Sequence, residues 1–164
     1  MNEGICWSAY IKDIEEVKGY LENGSDIEDK DRDGRTALLN AVSGSNINIE
    51  LVRLLVEKGA NTNSQDNAGF SALHFCAQEK QPEIAQLLID NGANVNLKDQ
   101  WGNTPLFRAL GNAKENRELI EILIKNGCDP YSKNNSGISA MDHATRFKTH
   151  PNYQYFKEIN EKNS

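Results

Sequence analysis

The chain has 164 residues, and its 24 acidic side chains outnumber its 18 basic ones to give a net charge of −6. This balance argues against a nucleic-acid-binding protein, because an acidic surface repels phosphate. No apolar run approaches the roughly 18 residues that span a bilayer, and the N-terminus lacks a basic segment followed by a hydrophobic block. We therefore expect a cytoplasmic protein without membrane contact.

Residues 1–30 contain two short apolar patterns that predict a pair of helices. The first helix is predicted from Ile5 to Ile11 and includes the aromatic residues Trp7 and Tyr10. The second is predicted from apolar residues spaced three or four apart, which are Ile14, Val17, Tyr20 and Leu21. Gly24 follows, as expected for a glycine that ends a helix in the left-handed conformation.

Residues 31–65 begin with a charged turn around Gly34, and Thr36 is placed to cap a first helix. A dense apolar stripe then predicts a second helix, through Leu51, Leu54, Leu55 and Val56. The segment between the two helices, SGSNINIE, is two residues longer than its counterpart in the next unit. Residues 111–117 carry the same extra length. Two longer loops are therefore predicted on the same edge of the stacked units. They either bind a partner or are insertions without a function, since loops tolerate extra length at small cost.

Residues 66–98 show the same order of elements most clearly. A polar turn reaches Gly69, Ser71 is placed as a helix N-cap, and an apolar face follows. Pro82 is typical of the first turn of a second helix, and Gly92 is placed to end it. Residues 99–133 repeat this order. Residues 134–164 begin in the same way but lack the closing glycine, which predicts a C-terminal cap followed by a short polar tail.

Two series of glycines show that these units are repeats. The turn sequences GRTAL, GFSAL, GNTPL and GISAM recur 33 to 35 residues apart, and so do the helix-ending sequences ENGSD, EKGAN, DNGAN and KNGCD. A two-helix unit of this size cannot bury its apolar faces alone, so neighbouring units must stack on one another.

At this period the chain resembles the ankyrin-repeat family. The family motif of glycine, any residue, threonine, proline, leucine and histidine is most nearly complete at Gly102, where Thr104, Pro105 and Leu106 follow and Phe107 replaces the histidine. In the third unit His74 occupies the histidine position, and the resemblance implies a structural hydrogen-bonding role for it beside the turn.

The resemblance implies an all-α fold, a solenoid of stacked helix-turn-helix units with β-hairpin-like turn tips. It predicts a single domain over residues 1–164, with an N-terminal capping repeat at 1–30, full repeats at 31–65, 66–98 and 99–133, and a degenerate C-terminal capping repeat with a tail at 134–164.

The residues that could support catalysis do not form a recognisable motif. His74, His143 and His150 lie in none of the spacings that mark a metal or nucleophile site, and no phosphate-binding glycine loop is present. The cysteines are three in number, widely separated and free of CxxC spacing, which predicts neither a disulfide framework nor a zinc site. We expect no enzyme activity, no metal and no cofactor; an uncharacterised enzyme is the remote alternative.

The resemblance also implies that the turn tips and the exposed side of each first helix form a concave face that binds another protein. Transferring this face position by position predicts the following partner-binding residues: Arg32, Asp33, Arg35, Asn67, Phe70, Gln78, Glu79, Gln100, Trp101, Asn103, Arg108, Asn135, Ser136 and Ile138.

Four aromatic residues have two possible roles. Phe70 and Trp101 lie in turns where polar residues would suffice, and stacking of adjacent repeats should place them side by side. Each ring could anchor a partner or shield the neighbouring turn; we favour binding for Trp101 and keep both roles open for Phe70. For Trp7 and Tyr10 we expect a covering role at the end of the stack, with partner binding as the alternative.

These observations lead to the hypothesis of a non-enzymatic module that binds a protein and is monomeric when unbound. Because no second domain is predicted, we expect that binding is itself the function, as in small ankyrin-repeat proteins that neutralise a toxin or inhibit an enzyme. The acidic composition favours a basic partner, although ordinary solubility explains it equally well. A scaffold or adaptor with a second binding surface on the two longer loops is the alternative.

Overall fold

The computed structural model describes residues 4–44, 46–112, 116–146, 149 and 152–162. Within these residues the chain forms ten α-helices in five consecutive pairs, with a short 3₁₀ turn after the seventh. The helices are α1 (Ile5–Tyr10), α2 (Ile14–Glu22), α3 (Ala37–Ala41), α4 (Ile49–Glu57), α5 (Ala72–Glu79), α6 (Pro82–Asp90), α7 (Pro105–Ala109), α8 (Arg117–Lys125), α9 (Ala140–Thr145) and α10 (Tyr153–Lys162).

The helix boundaries follow from local capping. Thr36 and Ser71 are the N-caps of α3 and α5, as predicted, and both have extended backbone dihedrals. The hydroxyl of Thr36 accepts a hydrogen bond from the backbone N–H of Leu39 at 3.4 Å, which satisfies one of the donors left open at a helix start. Pro82 occupies the first turn of α6, and Gly92 follows that helix with a φ of 86°. These predictions are confirmed.

The helices lie in two layers. In the first layer α1, α3, α5 and α7 pack against one another in order, and in the second α4, α6 and α8 do the same. The two helices of each pair connect the layers. The core lies between the layers and is lined by leucines of successive repeats that are at most 1% exposed: Leu38, Leu55, Leu73, Leu88, Leu106 and Leu123. This is the stacked, all-α arrangement that the sequence predicts.

An aspartate or asparagine organises each turn between repeats. The side-chain Oδ1 atoms of Asp31, Asp66, Asp99 and Asn134 each accept hydrogen bonds from the backbone N–H groups two and four residues later, at 2.8–3.1 Å. Backbone bonds then join adjacent turns, for example from Gln100 N to the Ala68 carbonyl at 3.0 Å. The described residues contain isolated β-bridges but no strands, so this ladder of turns stands in place of a sheet.

The last repeat has more regular structure than its sequence suggests. A short polar tail was expected after the cap, but α10 extends to Lys162 and buries Phe156 completely.

Ser45 and residues 113–115, which belong to the two predicted long loops, lie outside the described residues, and so does His150. Among the described helices, none is long and apolar enough to cross a bilayer.

The three cysteines are unpaired. Cys76 and Cys128 are buried, and Cys6 is half-buried with its thiol 3.2 Å from the carbonyl oxygen of Asp29. Burial raises the pKa of Cys6 to about 11 and that of Cys128 to about 12. The thiols are therefore protonated at neutral pH and act as small packing groups.

Candidate functional site

The turns and the first helices form one face of the molecule, and the second helices form the other. We define the inner face as the turns at 31–36, 66–71, 99–104 and 134–139 together with α1, α3, α5, α7 and α9. The outer face consists of α2, α4, α6, α8 and α10. The predicted partner-binding residues belong to the inner face, because they lie in its turns or first helices.

An aromatic cluster lies where the third and fourth repeats meet on the inner face. The rings of Phe70 and Trp101 are perpendicular, with centroids 6.2 Å apart. The guanidinium carbon of Arg108 lies 4.7 Å from the centroid of the Phe70 ring and 4.9 Å from that of Trp101. The prediction that stacking places the two rings side by side is confirmed, whereas their part in binding stays a prediction.

Asp99 holds this cluster in place. Its Oδ2 atom accepts hydrogen bonds from Arg108 Nε at 2.7 Å and Nη2 at 2.5 Å, and its Oδ1 atom accepts from the backbone N–H of Trp101 at 2.9 Å. The Asp99 side chain is fully buried, while that of Arg108 is 29% exposed. The buried carboxylate of Asp99 thus positions both the backbone of Trp101 and the guanidinium of Arg108. Because these groups are already ordered, binding a partner costs little of their conformational entropy.

The two aromatic rings differ in exposure. Trp101 is 49% exposed, whereas Phe70 is half-buried and packs against the rings of His74 and Phe75, each with centroids 5.5 Å away. Phe70 therefore connects Trp101 to the buried rings of α5 and is the less exposed of the two. Trp101 presents most of the accessible ring area.

A similar arrangement occurs one repeat earlier. The guanidinium carbon of Arg35 lies 5.1 Å from the centroid of the Phe75 ring, and its Nε atom lies 3.5 Å from Asp66 Oδ2. The Arg35 side chain is 28% exposed and that of Asp66 is 5% exposed. The aspartates of two successive turns, Asp66 and Asp99, therefore each hold a partly exposed arginine of the inner face.

The remaining predicted residues divide by exposure. Arg32, Asp33, Asn67, Gln78, Gln100, Asn135 and Ser136 are exposed, and Glu79 and Ile138 are half-buried. Asn103 is different, because it is only 8% exposed and its Oδ1 atom accepts a hydrogen bond from Asn134 Nδ2 at 2.9 Å. The structure thus places Asn103 within the fold, and we leave it out of the proposed contact surface.

The inner face carries a second aromatic pair, for which the sequence favoured a covering role with partner binding as the alternative. Trp7 and Tyr10 in α1 stack on each other with centroids 5.6 Å apart, and they are 37% and 49% exposed. Ala9 in α1 and Ala77 in α5 are both fully buried, and when these two alanines are aligned Trp7 takes the position of Phe75 in the third repeat. We expected both rings to cover the end of the stack, but in the structure each remains partly exposed to solvent. Whether the two rings cover the stack or bind a partner stays a prediction.

Lys12 joins this pair to the next repeat. Its Nζ atom donates to the carbonyl oxygens of Asn40 at 2.7 Å and Ser43 at 2.9 Å, near the C-terminal end of α3, where a cation is favoured. The same atom lies 5.8 Å from the centroid of the Tyr10 ring. Burial lowers the pKa of Lys12 to about 8, and the carboxylate of Glu79 acts in the opposite direction. The side chain is therefore still mainly charged at pH 7.

The acidic surplus of the chain lies mainly on the outer face. Helices α2, α4 and α6 together carry seven carboxylates and two basic side chains. A groove of about 350 Å³ also lies on this side, between α2 and α4. Within the described part of the chain, no three His, Cys, Asp or Glu side chains are grouped in a way that could hold a metal ion.

Comparison with known proteins identifies the repeats. A family model described as "Ankyrin repeats (3 copies)" matches residues 5–99, and a second one, "Ankyrin repeat", matches residues 101–135. No curated protein matches the chain. The matched residues include most of the inner face, and ankyrin repeats are modules for protein–protein interaction. The chain belongs to the ankyrin-repeat family.

Proposed function

We propose that the chain is a non-enzymatic protein-binding module whose partner docks on the inner face, with Trp101 as the central anchor. The observation that supports this proposal is the exposed indole of Trp101 held against Arg108 and Phe70. Tryptophan and arginine are the residues most often found to dominate the binding energy of protein interfaces.

The rigidity of the cluster favours binding. A partner that covers Trp101 removes apolar ring surface from water, and the buried carboxylate of Asp99 has already ordered the neighbouring guanidinium. Arg35 and the exposed tips Arg32, Asn67 and Gln100 would form the surrounding polar rim.

We further propose that binding masks or neutralises the partner, because a protein seated on a rigid face has the matching part of its own surface covered. The three unpaired cysteines are compatible with the reducing cytoplasm, which is the compartment that we propose.

A scaffold or adaptor is the second candidate function, and the charge distribution favours it in one respect. Such a protein needs a further binding surface, and the seven carboxylates of α2, α4 and α6 provide an acidic one. A basic partner, as expected from the net charge, would be attracted to that outer face rather than to Trp101.

The proposal can be tested by quantitative affinity capture from an extract of the source cells. Wild type is compared with Trp101→Ala and with Tyr131→Ala, a matched loss of an exposed aromatic ring outside the inner face. We expect Trp101→Ala to reduce recovery of the main partner about tenfold or more, as for a binding hot spot. Tyr131→Ala should leave recovery unchanged.

Equal recovery with wild type and Trp101→Ala would remove the inner-face proposal. Circular dichroism and thermal melting of each variant show whether a loss of recovery reflects unfolding instead. Masking is tested separately, by assaying the purified partner with and without an excess of the chain. Full partner activity in the saturated complex would favour the scaffold role.

A further inference from the structure

Three cations are held against aromatic rings of the inner face, and we call them the cation ladder: Lys12, which lies just after α1, Arg35 and Arg108. Their charged groups lie 5.8 Å from the Tyr10 ring, 5.1 Å from the Phe75 ring and 4.7 Å from the Phe70 ring, measured to the centroids. The cations belong to the first, second and fourth repeats, so the ladder runs along most of the stack.

The counter-charges of the two arginines lie beneath them. The side chains of Asp66 and Asp99 are 5% and 0% exposed, whereas those of Arg35 and Arg108 are 28% and 29% exposed. Lys12 donates to carbonyl oxygens, which carry no net charge. A partner that docks on this face therefore contacts the guanidinium and ammonium groups and the aromatic rings, whereas the carboxylates of Asp66 and Asp99 are buried.

The turn tips add charges of both signs. Arg32 is an exposed cation in the second turn, and Asp33 beside it and Glu79 at the end of α5 are carboxylates that also reach this face. The half-buried Asp31 is a third carboxylate, and its oxygens accept hydrogen bonds from its own turn and from Asn40. The exposed Asp142 lies in α9 of the fifth repeat, beyond the ladder. From the first repeat to the fourth, the four cations Lys12, Arg32, Arg35 and Arg108 therefore face three carboxylates. Helices α2, α4 and α6 of the outer face show the opposite balance, whereas α8 and α10 carry equal numbers of acidic and basic side chains.

The length of the ladder limits what can cover it. Packed helices lie about 8–10 Å apart, so the three steps from α1 to α7 correspond to about 24–30 Å. An extended segment advances about 3.3 Å per residue, so roughly eight residues would span this distance. The Trp7 and Tyr10 pair lies at one end and Trp101 at the other, which provides an apolar anchor at each end.

We propose that the inner face recognises an acidic protein segment or surface patch that carries apolar side chains, with its carboxylates lying along the cation ladder. This inference rests on the proposed function and specifies the chemistry of the partner. It differs from the preference for a basic partner that follows from net charge, because the charges that a ligand meets are those of the face on which it docks.

The test uses a phage-displayed library of random peptides about 15 residues long, enough to span the ladder when extended. The library is selected on the immobilised full chain, and peptides that also bind Trp101→Ala are removed. We expect the remaining peptides to have negative net charge and at least one large apolar residue.

Charge variants then test the best of these peptides, made synthetically. Arg32→Glu should weaken binding roughly three- to tenfold, and Asp33→Asn should strengthen it, because neighbouring charges change sign or disappear. Arg53→Glu is the matched control, since it makes the same charge change at an exposed position of α4 on the outer face. It should leave binding unchanged.

The outcomes separate this inference from the proposed function. Trp101-dependent peptides with positive net charge, or stronger binding by Arg32→Glu, would overturn the acidic-partner inference and leave the inner-face proposal standing. A selection that yields no Trp101-dependent peptide would count against both.

Discussion

The imidazole of His74 links the third repeat to the fourth, with Nε2 3.0 Å from the carbonyl oxygen of Asn103. On its other side Nδ1 lies 2.8 Å from Ser71 Oγ and 3.1 Å from the backbone nitrogen of Ser71. Because that backbone N–H can only donate, Nδ1 accepts and Nε2 carries the proton. The structural hydrogen-bonding role that the family resemblance implies for His74 is thereby confirmed.

Replacing His74 with alanine should destabilise the fold. The side chain is fully buried, so the change leaves a cavity and removes the partner of the Asn103 carbonyl. We expect the free energy of unfolding, measured by urea denaturation, to fall by roughly 2–4 kcal/mol. His143→Ala in the exposed part of α9 is the control and should cost less than about 1 kcal/mol. Equal losses would contradict the bridging role.

The same histidine should make stability depend on pH. Burial lowers the pKa of His74 below its ordinary value. The unfolded chain, with a His pKa of roughly 6.5, therefore takes up a proton at a higher pH than the folded chain does. The free energy of unfolding should fall as pH drops below about 6.5, by at most about 1.4 kcal/mol per pH unit.

Urea titrations at pH 7.5, 6.5 and 5.5 would measure this dependence. The His74→Ala variant should show a flatter profile over that range, because it lacks the buried ring. A variant profile as steep as that of wild type would assign the pH dependence to other groups.

Two glycines of the third repeat should respond differently to alanine. Gly69 has a φ of 77°, and a Cβ there would lie 2.9 Å from the backbone nitrogen of Gln100 and 3.0 Å from the Cα of Asp99. Gly92 has a similar φ of 86°, but no heavy atom lies within 4 Å of its Cβ position. Each alanine pays about 1–2 kcal/mol for the left-handed backbone, and only Gly69→Ala must also displace the next turn.

Thermal denaturation of both variants would measure the difference. We expect Gly69→Ala to lower the melting temperature clearly more than Gly92→Ala does. Similar melting temperatures would mean that backbone conformation alone requires glycine at position 69.

Removing the guanidinium of Arg108 should also destabilise the chain. Asp99 would keep a buried carboxylate without the two hydrogen bonds that it now accepts from Arg108. We expect Arg108→Ala to cost roughly 1.5–3 kcal/mol in chemical denaturation, as for hydrogen bonds to a charged group. Lys18→Ala removes an exposed pair with Glu15 and should cost at most about 1 kcal/mol. If Arg108→Ala lowered the free energy of unfolding by no more than Lys18→Ala does, the hydrogen bonds from Arg108 to Asp99 would not be needed for stability.

The repeating fold could be predicted from the sequence because its determinants are local. Ser71 and Pro82 begin helices, and Gly69 and Gly92 adopt positive φ, through interactions within a few residues of each position. The regular spacing of these signals along the chain was sufficient to predict stacked helix pairs. Even the contact between Phe70 and Trp101 followed from the repeat spacing.

What the sequence by itself determined is the unit, its period and the side-by-side placement of Phe70 and Trp101. Only the tertiary structure decided which side chains reach solvent. In the folded chain Asn103 is buried, Arg108 donates hydrogen bonds to Asp99, and Trp7 remains partly exposed to solvent. The physical reason is that exposure and pairing depend on side chains of the neighbouring repeat, some 30 residues away in sequence, which a local pattern does not specify.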